Sequence, residues 1–280
     1  MLQDKLIRNA LSIDLEDWYQ GMLQVNYGDW NKYEDRLSAS VDKILNLLSS
    51  QGRKATFFTL GYIAERHPEI IRQVAQAGHE IASHGYAHRP VYAQTPEEFR
   101  DDVIRSKKII EAISATEIIG YRAPFFSITK KSLWALGILQ ELGFKYDSSI
   151  FPTRNFLYGI PDAPQTIYRP DTEGLIEFPL SVLRIRGLNL PVCGGFYLRT
   201  LPYFISAYGI RQLNRRGWPA IIYLHPWELD TDKPKIPYGL KWRIIYDHNI
   251  AKTENKFRCL LKNFEFTTIR EVLFGAKEKN

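Results

Sequence analysis

Short apolar runs alternate with longer amphipathic runs along the first half of the chain, and this alternation constrains the fold more than any other feature. The apolar runs predict buried strands at residues 6–13, 55–60, 79–83, 118–122 and 144–147. The amphipathic runs, whose apolar residues are spaced for one helix face, predict helices at residues 36–50, 68–77, 95–113 and 129–142. Repeated strand–helix–strand units of this length predict a parallel sheet, either open or closed into a barrel.

The second half of the chain has a less regular pattern. Residues 151–200 contain many prolines and glycines, with one strand-like run at 176–183. Beyond them, the pattern predicts strands at 220–225 and 264–268 and helices at 201–216, 240–261 and 269–274. We find no internal repeat and no linker that would divide the chain, and we expect a single domain.

Composition excludes several classes of protein. The chain has 280 residues, a length that suits one α/β barrel, and 37 Lys+Arg against 31 Asp+Glu give a net charge of +6. The positive charge is mild and forms no Lys/Arg block, which argues against nucleic-acid binding. No apolar run approaches the roughly 20 residues that span a bilayer, so we expect no transmembrane segment.

Compartment and redox state follow from the N-terminus and the cysteines. No long apolar stretch follows a basic start, so we expect no signal peptide. Cys193 and Cys259 are too few for a disulfide framework; two free thiols are expected, with a single disulfide left open. The default expectation is a cytoplasmic enzyme.

Four polar clusters lie where predicted strands end. They are Asp14–Asp17 (DLED), His84–His88 (HGYAH), Arg122–Phe125 (RAPF) and Leu224–Pro226 (LHP). In parallel α/β folds the functional site lies at the C-terminal ends of the strands, so the clusters are expected to meet there.

The His84/His88 pair has the spacing of two ligands to one metal ion, and Zn²⁺ binds imidazole together with carboxylate oxygen. Alone, such a pair is more often two unrelated histidines. In the acid cluster, one carboxylate could complete the metal site and another could act as general base on water. The alternative is a solvated helix N-terminus.

Arg122 and His225 can each be interpreted in two ways. A guanidinium at a strand end can orient a carboxylate and keep it ionised, or it can form an ordinary surface ion pair. A histidine that closes an apolar strand can act as a general acid, or it can be a packed, hydrogen-bonded side chain.

Taken in order, the four clusters resemble the polysaccharide deacetylase family, the NodB-homology domain. The most specific stretch contains Thr56-Phe57-Phe58, then Gly78-His79-Glu80-Ile81, then His84 and His88. RAPF at 122–125 is similar to the family's RxPY-type motif with Phe for Tyr, and Leu224-His225 is similar to its late Leu-His motif. The resemblance covers residues 6–150 and resumes near 220–268.

Three further segments resemble one subgroup of this family. They are SIDLEDWYQ at 12–20, GGFYLR at 194–199 and HPWELD at 225–230. The subgroup is associated with bacterial exopolysaccharide gene clusters and carries a C-terminal extension. The resemblance implies a distorted (β/α) barrel formed as one domain by residues 1–280, with an extension within 151–280 that wraps the barrel.

The resemblance also implies roles for individual residues. Asp14 matches the general base, Arg122 matches the arginine that orients it, and His225 matches the general acid. Phe125, through its backbone N–H, matches the oxyanion donor, and Leu224 matches the apolar wall facing the acetyl methyl group.

The implied metal ligands are His84 and His88 with one carboxylate. Where the family usually has a second adjacent Asp this chain has Leu15, so Glu16 is favoured as the carboxylate and Asp17 is the alternative. Asp147 is proposed to orient His225, although the Trp that usually follows that Asp is absent here.

The function implied is removal of an N-acetyl group from an amino sugar of a polysaccharide or its precursor. One divalent ion would be required, Zn²⁺ by default, with Co²⁺ or Ni²⁺ as alternatives. Two rival functions stay open. One is another amide hydrolase on the same scaffold, such as a deformylase acting on a lipid-linked sugar or a ureide amidohydrolase. The other is a sugar-binding module without turnover.

Overall fold

The structure is a computed structural model, and it describes residues 7–155, 157–170, 174–192, 194–237 and 239–275. The strands are β1 (Asn9–Leu15), β2 (Thr56–Thr59), β3 (Glu80–Ser83), β4 (Gly120–Tyr121), β5 (Tyr146–Asp147), β6 (Ile176–Glu177), β7 (Val182–Ile185), β8 (Leu188–Pro191), β9 (Ile221–Leu224) and β10 (Phe266–Thr267). The helices are α1 (Leu37–Ser50), α2 (Gly61–Arg66), α3 (Pro68–Gln76), α4 (Pro96–Ser114), α5 (Trp134–Glu141), α6 (Gly195–Thr200), α7 (Tyr203–Arg215), α8 (Leu240–Asp247), α9 (Ile250–Asn263) and α10 (Ile269–Phe274).

β1 lies at the centre of the main sheet. All of its residues are buried, as expected for a parallel strand covered on both faces. It pairs in parallel with β2 on one side and with β9 on the other, and β10 pairs with its first residues. The sheet continues in the order β2-β3-β4-β5-β6, with every pairing parallel. The predicted distorted (β/α) barrel is therefore confirmed, in the form of an incomplete barrel.

Helices cover the sheet through apolar faces that the sequence pattern anticipates. Leu37, Val41, Ile44 and Leu48 of α1 are spaced along one face and are buried. α4 begins with a capping box, in which the Thr95 hydroxyl accepts from the Glu98 N–H and the Glu98 carboxylate accepts from the Thr95 N–H. This cap satisfies backbone donors that the first helical turn would otherwise leave unpaired.

The structure differs from the sequence-based prediction mainly in the second half. The predicted helix at 240–261 is broken into α8 and α9 at Asn249, whose φ of 59° is left-handed. The predicted strand at 176–183 is interrupted at Pro179, which has no N–H to donate to a sheet. The antiparallel hairpin of β7 and β8, with left-handed Gly187 in its turn, was not anticipated.

Some sequence-based expectations concern segments beyond the described residues. Residues 1–6, which include the start of the predicted first strand, lie outside them, as does Cys193. Cys259 is an exposed free thiol on α9. None of the helices in the described ranges combines the length and apolar character that a membrane span requires.

The register of the parallel strands brings the polar clusters to one edge. Ile13 of β1 is level with Leu224 of β9, and Asp14 is level with Phe58 of β2. Ser83 of β3 is level with Tyr121 of β4. The residues that follow these strands therefore emerge together at the C-terminal edge of the sheet.

Candidate active site

Glu16, His84 and His88 form a buried cluster at this edge. One donor atom from each lies within 4.8 Å of the others. The Glu16 Oε1 atom is 3.2 Å from His84 Nε2 and 2.9 Å from His88 Nε2. Burial alone would raise the pKa of Glu16, but the facing histidines outweigh it and hold that pKa well below its usual range. The cluster therefore presents an ionised carboxylate to two imidazoles.

The surroundings of this cluster orient its side chains. His84 Nδ1 is 2.7 Å from the carbonyl oxygen of Arg122, to which a protonated Nδ1 donates, leaving Nε2 free to face Glu16. Gly21 leaves room for the acid, since a Cβ there would be 2.6 Å from Glu16 Oε2. Such support is typical of residues that share a metal ion.

His88 provides the test of whether a metal ion fits. Both of its ring nitrogens are buried without a hydrogen-bond partner among the described residues, although Nε2 is close to Glu16. The approach has the distance but not the alignment of a hydrogen bond. Two imidazole nitrogens that converge with a carboxylate oxygen form a donor set for a divalent ion such as Zn²⁺. Glu16, His84 and His88 therefore fit such an ion.

Asp17, the alternative carboxylate, serves a different purpose. Its Oδ1 accepts from the Trp18 N–H and its Oδ2 from the Arg36 N–H, both at 2.7–2.8 Å. Burial raises the pKa of Asp17 to about 7. Its hydrogen bonds hold the loop that follows β1, and Glu16 is the acid that faces the histidines.

Asp14 lies beside the cluster and is bonded to Arg122. Asp14 Oδ1 accepts from Arg122 Nη1 at 2.6 Å, and both side chains are buried. The same guanidinium donates to the Ser12 hydroxyl and to the Ser148 carbonyl and hydroxyl oxygens. Arg122 is therefore held rigidly, as a planar donor that fixes the carboxylate facing it.

His225 reaches the same place from β9. Its Nε2 atom is 3.9 Å from both Asp14 Oδ2 and Glu16 Oε1, and its Nδ1 is 3.0 Å from Glu228 Oε2. Burial disfavours the imidazolium, but the carboxylates of Glu16, Glu228 and Asp14 outweigh it and raise the pKa of His225 to about 9. The imidazole therefore favours its protonated form, with Nε2 close to the other polar groups of the site.

The predicted partner of His225 requires a correction. Asp147 bonds with the hydroxyl of Ser149 at 2.5 Å and interacts with Glu177, while Glu228 is the carboxylate bonded to the His225 ring. Asp147 belongs to β5, which β1 to β4 separate from β9 in the strand order, whereas Glu228 stands in the turn that follows His225. The carboxylate that bonds with His225 is therefore its near neighbour in the sequence, Glu228, and not Asp147 of β5.

A cavity of about 360 Å³ connects these groups. Asp14, Glu16, His84, His88 and His225 line it, and so does Phe125, whose ring lies against His88 and whose φ of 55° is left-handed. The remaining wall is largely aromatic and includes Phe126, Tyr158, Tyr197, Tyr223, Trp227 and Trp242.

Leu224 occupies a different position from the one predicted. It is fully buried, and among the described residues that line the cavity the β9 side chain is Tyr223. Successive residues of a strand point to opposite faces, so when Tyr223 faces the barrel interior Leu224 faces the surrounding helices. The expectation that Leu224 forms the methyl-binding wall is therefore not supported.

Two residues of the site escaped the sequence analysis. Glu228 follows His225 by three residues, the offset at which a turn brings an acid back to the preceding side chain, and HPWELD contains that signal. Arg199, inside GGFYLR, bonds with Glu228 through Nε at 2.6 Å. No local pattern indicates that contact, because the two residues belong to different elements.

Comparison with known families divides the chain in two. A family model described as polysaccharide deacetylase matches residues 29–146, and one described as a domain of unknown function (DUF3473) matches residues 148–274. The first range contains His84, His88 and Arg122, and the second contains His225 and Glu228. The cavity therefore draws on both ranges, and on β1, which precedes them.

Curated relatives match part of the chain. A peptidoglycan-N-acetylglucosamine deacetylase of Bacillus cereus is 30% identical over 126 residues, which cover 42% of this chain and 46% of the relative. A peptidoglycan deacetylase of Helicobacter pylori is 31% identical over 113 residues, which cover 39% of this chain and 36% of the relative. Each alignment spans less than half of the relative's own length.

Solved structures share the fold over nearly the whole chain. A Mycobacterium smegmatis protein assigned provisionally to the polysaccharide deacetylases has a TM-score of 0.62 at 21% identity, covering 95% of this chain and 88% of its own. A PuuE allantoinase has a TM-score of 0.60 at 15% identity, covering 100% and 94%. At these identities the likeness concerns the fold alone. The family match makes residues 29–146 similar to polysaccharide deacetylases, the NodB-homology domain, and the solved structures show that nearly the whole chain shares this fold.

Proposed function

We propose that this protein is a metal-dependent hydrolase that removes N-acetyl groups from amino sugars of a polysaccharide or of its precursor. The observation that carries the proposal is the convergence, around one cavity, of three distinct units: the Glu16–His84–His88 cluster, the Asp14–Arg122 pair and the His225–Glu228 pair. Amide hydrolysis needs an activated water, a proton acceptor and a proton donor for the leaving nitrogen, and these units supply them.

Glu16, His84 and His88 are the proposed holders of one divalent ion. Three protein ligands leave coordination positions open, which is the arrangement of catalytic rather than structural zinc sites. When bound, the ion supplies Lewis acidity, which polarises a carbonyl oxygen and makes water a stronger acid. Zn²⁺ is the default for this donor set, and Co²⁺ or Ni²⁺ fits the same ligands.

Asp14 is the proposed general base. Its bond with Arg122 leaves Oδ2 facing the cavity while Oδ1 is occupied, so one oxygen is available for a proton. Arg122 holds the plane of this carboxylate through the hydrogen bond and balances its charge. In this role Asp14 accepts the proton of the attacking water.

His225 is the proposed general acid. Glu228 holds the Nδ1 side of the ring, so the Nε2–H is the donor that faces the reacting groups. The leaving amine departs only after it receives a proton, which Nε2 supplies. The backbone N–H of Phe125 is proposed to stabilise the oxyanion that develops on the acetamide carbonyl, a contribution of about 3 kcal/mol per donor.

The substrate class follows from the relatives and from the cavity. Relatives of this chain include peptidoglycan deacetylases and a chitooligosaccharide deacetylase of Bradyrhizobium, and all of these names denote glycans that contain amino sugars. The aromatic wall offers flat surfaces on which the apolar faces of sugar rings can stack. The DUF3473 match and the subgroup segments favour an exopolysaccharide, and we propose that residues 1–280 act as one domain.

The test combines metal analysis with product analysis. We expect one divalent ion per chain and release of acetate from a panel of N-acetylhexosamine oligomers. His88→Asn should lose both, and His67→Asn, which alters a histidine paired with Asp35 away from the cavity, should retain both. Release of formate, or turnover of ureides alone, would establish the rival amide hydrolases, and glycan binding without turnover would establish a binding module.

A further inference from the structure

The two subgroup segments GGFYLR and HPWELD, which the proposed mechanism only partly uses, meet in the fold. Gly194 and Gly195 have φ values of 132° and 51°, and Gly194 forms a parallel bridge with Tyr223 of β9. A Cβ at Gly194 would overlap the carbonyl oxygen of Tyr223, and one at Gly195 would lie 2.5 Å from the Tyr223 ring. The paired glycines therefore let α6 start directly against β9, the strand that His225 follows.

This placement brings Arg199 of α6 onto Glu228. Arg199 Nε donates to Glu228 Oε1 at 2.6 Å, and both side chains are almost completely buried. The other oxygen, Glu228 Oε2, bonds with His225 Nδ1 and with the His225 backbone N–H, both at 3.0 Å. Each carboxylate oxygen thus has its own partner, and the guanidinium determines which way the carboxylate faces.

The two remaining nitrogens of the Arg199 guanidinium bond with the end of α8, a helix that lines the cavity and that we call its roof. Its Nη2 donates to the Ile245 carbonyl at 2.6 Å and its Nη1 to the His248 carbonyl at 2.9 Å. These carbonyls lie at the C-terminal end of α8, where a helix leaves acceptors unpaired and favours a cation. Trp242, Ile245 and Tyr246 of the same helix line the cavity.

We propose that Arg199 is a positioning residue that sets two parts of the site at once: it holds Glu228 against the ring of His225, and it fastens the α8 roof over the sugar-binding cavity. The proposal rests on the function proposed above. A planar guanidinium can meet the carboxylate and both carbonyls together because its donors form a fixed fork, whereas an ammonium is a single point of charge. Arg199 therefore connects the binding of a sugar beneath α8 with the alignment of the general acid, His225.

The experiment compares Arg199→Met, Glu228→Gln, their double variant and Lys233→Met. Lys233 is the matched control because its Nζ binds Asp247 at the end of α8, at 2.6 Å, and so anchors the roof by a separate contact. The double variant replaces both charges by neutral groups of similar shape, which removes the penalty of one unpaired buried charge. Its folding is checked by circular dichroism and thermal unfolding.

Each variant is assayed on an N-acetylhexosamine oligomer and on 4-nitrophenyl acetate, whose leaving group needs no proton. We expect Arg199→Met and Glu228→Gln to lower kcat for the acetamide about 10- to 100-fold more than kcat for the ester. In the double variant these losses should not add, since both act through the His225 ring. Arg199→Met and Lys233→Met should raise KM for the oligomer, and Lys233→Met should leave the acetamide-to-ester ratio unchanged.

An NMR measurement, which does not depend on catalysis, accompanies the assays. In the metal-free wild type, the Nδ1 proton of His225 should give a protected, hydrogen-bonded NMR signal. That signal should be lost in Arg199→Met and kept in Lys233→Met. Additive losses in the double variant, equal losses on both substrates, or an unchanged NMR signal in Arg199→Met would overturn the positioning role. A wild type inactive on every acetamide would instead overturn the proposed function, while the NMR comparison would still test Arg199.

Discussion

Arg122 illustrates how single residues of the site are held in place. A fully buried guanidinium is tolerated only where its donors are bonded and its charge is balanced. Arg122 meets both conditions through Asp14, Ser12 and Ser148, and the ring of Phe58 lies 4.0 Å from its central carbon. The pair with Asp14 therefore depends on contacts from several strands rather than on either partner alone.

The role of Asp14 can be tested with the neutral isostere. Asp14→Asn removes the proton acceptor but keeps the shape that Arg122 and Ser12 require, so kcat should fall at least about 100-fold with metal content nearly intact. Activity and bound metal are measured on the same preparation. Asp17→Asn is the matched control, because Asp17 holds backbone N–H groups and faces away from the histidines. Loss of metal together with activity would identify Asp14 as a ligand.

The buried carboxyl pair of Asp147 and Glu177 makes stability depend on pH. Burial, followed by the proximity of Asp147, raises the pKa of Glu177 well above its usual range, and burial also raises the pKa of Asp147. A raised carboxyl pKa means that the fold favours the protonated form. Stability is then retained at pH values below the usual Glu pKa of about 4.3 and falls as pH rises above it.

Glu177→Gln replaces the protonated form by a neutral side chain of the same shape. Relative to wild type, we expect this variant to gain unfolding free energy between pH 5 and pH 8, measured by urea titration at each pH. The gain arises because the variant has no carboxyl to ionise. Glu117→Gln, at an exposed position, should show no such trend. A Glu177→Gln difference that is constant across this range would contradict the protonated assignment.

At the scale of elements, the contact of α6 with β9 connects the second half of the chain to the site. Gly194 is bridged to Tyr223, two residues before His225, so the start of α6 lies directly against the end of β9. The same helix carries Arg199, and α9 supports it through Lys256, whose Nζ donates to the carbonyls of Leu198, Arg199 and Leu201. Residues of α6 therefore contribute to the candidate site together with the end of β9.

Gly194→Ala tests this contact. The added methyl group meets the backbone of Tyr223 and requires a φ of 132° that alanine rarely adopts, so we expect destabilisation by roughly 1–3 kcal/mol with loss of activity. Gly137→Ala is the matched control: Gly137 lies within α5 with open space around its Cβ position, and alanine there should stabilise by about 0.5–1 kcal/mol. Urea unfolding measures both. Equal changes in the free energy of unfolding for the two variants would contradict the close contact between Gly194 and Tyr223.

At the scale of the whole molecule, the Glu16–His84–His88 cluster joins segments that are distant in sequence. Glu16 follows β1, and His84 and His88 follow β3, so an ion held by all three stabilises only the folded chain. Zn²⁺ at 100 times its dissociation constant should therefore add about 2.7 kcal/mol to the free energy of unfolding. Thermal unfolding of the metal-free protein with and without Zn²⁺ measures this, and His88→Asn should abolish the shift. A shift that persists in His88→Asn would place the ion elsewhere.

The sequence alone determined the parallel α/β architecture and the positions at which polar residues leave the strands. Periodicity and strand-end clusters are local properties of a sequence, so they were enough to predict which polar residues form the site. The structure brings these residues together around one cavity: Asp14, His84, His88, Arg122 and His225. Glu16 was favoured over Asp17 by resemblance, and its orientation toward the histidines depended on the turn after β1.

Only the tertiary structure decided which side chains support these groups. Tyr223 faces the cavity in place of Leu224 because strand residues alternate between faces, and a shift of one residue in register exchanges them. Glu228 rather than Asp147 meets His225, and Arg199 meets Glu228, through packing of α6 on β9 and of α8 over the cavity. Such contacts join segments distant along the chain, and their free energy depends on burial and geometry that no short stretch of sequence contains.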